Sequence, residues 1–62
     1  PGPGQLVATW AYEGGTLRFL MNAGEGEADL EAPGRVIWSS EGVTSEGPRH
    51  RLPSWTALVA KE

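Results

Sequence analysis

The sequence predicts an all-β domain, an antiparallel sandwich or small barrel of about six strands. Three observations carry this. Apolar residues alternate with a period of two through several short segments. Nine glycines and five prolines in 62 residues punctuate the chain between those segments. No segment holds a helical apolar period long enough to pack as a helix.

Pro1 to Gly4 is turn-like, so residues 1–5 are expected to be a leader or linker remnant and 6–62 a single β domain. The chain starts at Pro1 rather than Met, as a fragment or a processed product would. Leu6 to Tyr12 is the first strand, with Leu6, Ala8, Trp10 and Tyr12 on one face and Val7, Thr9 and Ala11 on the other. Both faces are apolar, which predicts a strand covered on both sides. Glu13-Gly14-Gly15 is a hairpin turn, because glycine adopts positive φ at little cost. In the next strand, Thr16 to Ala23, Leu17, Phe19 and Met21 form the apolar face, while Thr16, Arg18 and Asn22 point away with Leu20 among them. Asn22 to Gly26 is a second turn.

Glu27 to Ala32 alternates cleanly, with Ala28, Leu30 and Ala32 inward and Glu27, Asp29 and Glu31 outward. Pro33-Gly34 ends it, which favours a strand over a short helix. Arg35 to Ser40 is the fourth strand, with Val36 and Trp38 on one face and Ile37 on the other. Glu41 to Gly47 reads as a polar loop and Pro48 to Leu52 as a short strand or extended segment. Pro53 precedes the last strand, Ser54 to Lys61, in which Trp55, Ala57 and Val59 oppose Thr56, Leu58 and Ala60.

The totals exclude several functions. A chain of this length buries only about 60% of its unfolded surface, so it is narrowly stable or leans on a partner. With no cysteine there is neither a disulfide nor a thiolate metal site, which fits a reducing, cytoplasmic compartment. Eight acidic against five basic residues, a formal charge of -3, oppose nucleic-acid binding. No apolar run reaches membrane-span length.

Nothing in the sequence assembles a catalyst, and no cofactor or metal is expected. His50 is the lone histidine, flanked by Arg49 and Arg51, and reads as a surface side chain. Ser39, Ser40, Ser45 and Ser54 lie outside any nucleophile-elbow motif. Glu25, Glu27, Asp29 and Glu31 form an acidic row that period-two geometry turns into a solvated strand face. The ligand-binding candidates are Trp10, Tyr12, Trp38 and Trp55, as a platform for sugar rings or a groove for proline-rich peptides. The competing reading, core packing, is favoured because each lies in an apolar row, with Trp55 the one expected to be exposed.

Three pieces carry a family resemblance. RFLMNAGEGEADLEA resembles the strand–turn–strand of C-terminal domains in the α-amylase superfamily of glycoside hydrolases. PGRVIWSSEG is similar to that domain's next strand, and LPSWTALVAKE to its last, with Ser54 where a second proline is usual. Order and spacing agree from Leu6 to Glu62, and the wording is nearest to the maltooligosyltrehalose trehalohydrolases and glycogen-branching enzymes. The resemblance implies a Greek-key β-sandwich packed beside a catalytic (β/α)₈ barrel, with α-glucan as a further contact. The family's catalytic carboxylates lie in that barrel, so none maps onto this chain. The domain is also short, implying an edge strand that is missing or supplied by another chain. A second resemblance, to Src-homology-3 domains, rests on Ala8-Thr9-Trp10-Ala11-Tyr12 and LPSWTALV and implies a peptide pocket at Tyr12, Trp38 and Pro53. The middle of the chain departs from it.

Overall fold

The computed structural model describes residues 2–62, so the expectation for Pro1 lies outside the described residues. Among the described residues seven strands form: β1 (Gln5–Tyr12), β2 (Gly15–Asn22), β3 (Ala28–Glu31), β4 (Arg35–Ser39), β5 (Thr44–Glu46), β6 (Arg49–Leu52) and β7 (Thr56–Lys61). They make two antiparallel sheets, one ordered β1-β2-β7-β4 and the other β3-β6-β5. The expected all-β sandwich is therefore present, with one more strand than the pattern shows. The extra strand, β5, falls inside the expected polar loop. Its three residues are all exposed, so no alternation marks it, and only pairing of Thr44, Ser45 and Glu46 with Arg51, His50 and Arg49 defines it.

The core lies between the sheets. The four-stranded sheet contributes Leu20, Leu58 and Ala60, and the three-stranded sheet contributes Ala28, Leu30, Ala32 and Leu52, with Val36 and Val43 packed against them. Register explains the grouping. Leu20 lies opposite Leu58, and Ala28 opposite Leu52, so each pair projects from one face of its sheet. The β3 alternation holds as expected, with Ala28 and Leu30 buried between exposed Asp29 and Glu31.

Three face assignments differ from the sequence reading. On β2 the inward residues are Leu20 and Asn22, while Phe19 and Met21 are exposed. Alternation determines which residues share a face; it leaves open which face turns inward. Asn22 decides it here. Its side chain is buried and donates to the carbonyls of Gly26 at 2.8 Å and Leu52 at 2.9 Å, while its Oδ1 accepts from the Gly24 amide at 3.0 Å. The second difference is β1, which is not covered on both sides: everything from Leu6 to Tyr12 is exposed. It is the outermost strand of the wider sheet, and a three-stranded sheet cannot reach under it. The third is β4, where a bulge between Val36 and Trp38 breaks the alternation. Val36 packs on the core while Ile37 and Trp38 are both exposed.

At the Pro33-Gly34 break the chain passes close to the backbone at the end of β7, which β4 then pairs. Gly34 has φ 102°, and a Cβ there would sit 2.5 Å from the Lys61 carbonyl oxygen. Gly34→Ala is expected to cost about 2 kcal/mol, combining left-handed strain with that clash. Urea unfolding measures this, and an unchanged midpoint would show that the backbone between β4 and the end of β7 adapts freely.

Candidate interaction surface

The outer face of the four-stranded sheet follows from the register. Leu6 pairs with Met21, Ala8 with Phe19 and Trp10 with Leu17 across β1 and β2. Phe19 pairs with Val59, and Val59 with Trp38, across β7 to β4. Directly opposed residues share a face, so these side chains form one apolar surface across all four strands. Trp10 is 68% exposed, Trp38 55% and Phe19 44%, with Leu6, Met21 and Ile37 also open. Tyr12 lies at the end of this face, with Lys61 Nζ 5.9 Å from its ring centroid.

The structure thus brings three of the four candidate aromatics, Trp10, Tyr12 and Trp38, onto one sheet face and leaves Trp55 elsewhere. All four are exposed, which corrects the core-packing reading. The reason is volume: four leucines and three small alanines fill a core this size. Sequence reasoning placed Phe19 and Met21 inside, and missed them as surface residues. The signal that could have found them was the excess of apolar faces over what one small core can hold.

Trp55 occupies the turn before β7 at φ 60°, 78% exposed. A bulky residue rarely takes that conformation, and no burial compensates for it. The turn is held by Ser54 Oγ donating to the Gly24 carbonyl and Thr56 Oγ1 donating to the Pro53 carbonyl. Trp55→Gly is expected to raise stability by about 1 kcal/mol, because glycine carries no left-handed penalty. For a domain of this size that is roughly 4 °C in Tm by calorimetry. A fall in Tm would mean that the indole packs in solution.

A second feature lies on the three-stranded sheet. A shallow polar cavity of about 240 Å³ is lined by Asp29, Thr44, Ser45, Glu46, Arg49, His50 and Arg51. His50 is not the surface residue its neighbours implied: it is 2% exposed. On β6, Arg49 and Arg51 point outward, so the residue between them must point inward. Its Nε2 lies 3.1 Å from the Ala32 carbonyl and its Nδ1 2.7 Å from Ser45 Oγ. A carbonyl only accepts, so Nε2 donates to Ala32, while Nδ1 is hydrogen-bonded to the serine hydroxyl. Both ring nitrogens are satisfied. The partners are a backbone carbonyl and one hydroxyl, with no carboxylate bonded to the ring, so these bonds tie the buried imidazole to the exposed β5 edge. The cavity's outer charges offset each other, with Arg51 Nε 3.3 Å from Asp29 Oδ1.

The sequence matches the family described as a domain of unknown function, DUF3459, over residues 1–59. Neither the curated proteins nor the solved structures contain a match.

Proposed function

The chain belongs to the DUF3459 family, a domain known as the C-terminal domain of α-amylase-family enzymes, and on that premise we propose that it is a non-catalytic accessory domain which stabilises a catalytic (β/α)₈ barrel by covering part of it. The observation that carries this is the apolar outer face around Trp10, Phe19 and Trp38. A small domain gains nothing for its own fold by exposing such a face. Removing roughly 400 Å² of it from water at about 25 cal/mol per Å² yields on the order of 10 kcal/mol before ordering costs. That is comparable to the whole stability of a small domain.

On this reading the contribution is mechanical, and the parent protein is a cytoplasmic glycoside hydrolase or glycosyltransferase acting on α-glucan. The wording of RFLMNAGEGEADLEA and LPSWTALVAKE favours the trehalohydrolase and branching-enzyme side.

The test is a face variant, Phe19→Lys with Trp38→Glu. Alone, it should unfold within about 1 kcal/mol of wild type, because both side chains are exposed. Mixed with a separately expressed barrel domain of a trehalohydrolase or branching enzyme, wild type should bind and the variant should not. Equal binding by both would end the proposal. A saturable change in tryptophan fluorescence with maltoheptaose, lost in the variant, would instead mark the face as a carbohydrate platform.

A further inference from the structure

The two sheets have four open edges, formed by β1, β4, β3 and β5. Natural sheets blunt such edges with short strands, charges, prolines or bulges. Three of these four are blunted. β4 carries Arg35 and the bulge at Ile37, and follows Pro33. β3 has four residues, including Asp29 and Glu31. β5 has three, ends in Glu46 and precedes Pro48. β1 shares only the flanking proline, Pro3, and carries no such device within the strand itself. It runs eight residues in unbroken register, contains no charge and no proline, and is exposed from Leu6 onward.

Its hydrogen-bonding groups can be assigned to sides. The Thr16 amide bonds the Glu62 carbonyl at 3.1 Å, and the Glu62 amide bonds the Thr16 carbonyl at 2.8 Å, so the main chain of Thr16 faces β7. By alternation Leu17, Phe19 and Met21 face β1. Their partners Trp10, Ala8 and Leu6 therefore bond β2. The N–H and C=O groups of Val7, Thr9 and Ala11 are left pointing at the open edge. The Gln5 amide agrees, turning away from β2 to the Gly2 carbonyl at 3.0 Å.

We propose that this edge pairs antiparallel with the same edge of a second copy, about a two-fold axis at Thr9, joining two four-stranded sheets into one. Only a shift that opposes Val7, Thr9 and Ala11 to one another uses the open groups. Centring on Thr9 satisfies all of them: Thr9 meets Thr9 of the second copy, and Val7 meets Ala11 in both directions. Side chains agree with this register. On the outer face small Ala8 meets large Trp10, and Leu6 meets Tyr12; on the inner face the two threonines adjoin, a favourable cross-strand pair. No charges oppose each other. The contact is isologous and closes on itself, so it yields a dimer and not a fibre. It is independent of the outer-face docking proposed above, since it uses the strand edge and leaves that face open.

Sedimentation velocity of the chain across a concentration series tests it. Wild type should show a reversible monomer–dimer equilibrium. Thr9→Pro removes an amide that faces only the open edge, so the fold should persist by circular dichroism while dimer affinity falls by tenfold or more. The chain has no cysteine, so Thr9→Cys reports register directly. Opposed residues in a hydrogen-bonded antiparallel pair lie about 5.5 Å apart at Cα, within disulfide reach. Thr9→Cys should form a linked dimer on mild oxidation, and Val7→Cys, facing Ala11, should not. Monomer at every concentration overturns the proposal. So does a dimer abolished by the Phe19→Lys, Trp38→Glu variant yet kept by Thr9→Pro, which would place self-association on the outer face. If Thr9→Pro fails to fold, equal cross-linking of Thr9→Cys and Val7→Cys still overturns it.

Discussion

Asn22→Leu is expected to lower stability by about 3 kcal/mol, close to the limit a domain of this size tolerates. The leucine is of similar size, so the loss is electrostatic rather than volumetric. Three hydrogen bonds vanish, to Gly26, Leu52 and Gly24. Two of them tie the β2 end to the turn that starts the other sheet. The third, to the Leu52 carbonyl, crosses between the sheets, and its acceptor is left buried without a partner. An unpaired buried carbonyl costs about 1–3 kcal/mol by itself. Thermal unfolding should show a Tm lower by more than about 10 °C. A shift of only a degree or two would mean that water replaces the amide, and that Asn22 does not join the sheets.

The second large effect separates neighbours on one strand. Leu20→Ala should cost about 3 kcal/mol, because Leu20 is fully buried opposite Leu58 and its removal leaves a cavity at the centre of the core. Phe19→Ala and Met21→Ala should each cost less than about 1 kcal/mol in the chain alone, since both side chains are 44% exposed. Chemical denaturation of the three variants decides it. The opposite ranking, with Phe19 costly and Leu20 cheap, would mean that β2 faces the other way. On the docking proposed above, part of this pattern should reverse in the presence of a barrel domain: Phe19→Ala would then weaken binding, a loss the isolated chain cannot show.

Much of the fold was legible in the residues. Gly14-Gly15, Asn22 to Gly26 and Pro33-Gly34 mark turns, each containing a glycine at positive φ (Gly15, Gly26, Gly34) that few other residues would accept, and strands lie between them. Glu27 to Ala32 was legible to the side chain, since its two faces differ fully in polarity. The candidate surface was legible only in part. Trp10, Tyr12 and Trp38 stood out by type. Their joint placement on one face was not visible, because it depends on pairing across four strands. The bulge at Ile37, which turns Trp38 outward, has no local sequence signal.

By itself, the sequence determined the class of fold, the turns and the residues that share each strand face. Those follow from local geometry, in which glycine and proline limit φ and side chains alternate with period two. The tertiary structure decided which face of β2 is interior, that His50 is buried and that β1 has bare faces and an open edge. These depend on how two sheets of unequal width overlap. A three-stranded sheet covers β2 and β7 but not β1, and Asn22 anchors the side of β2 that its three backbone partners occupy. No pattern along a single strand contains that information, because it is a relation between strands far apart in the chain.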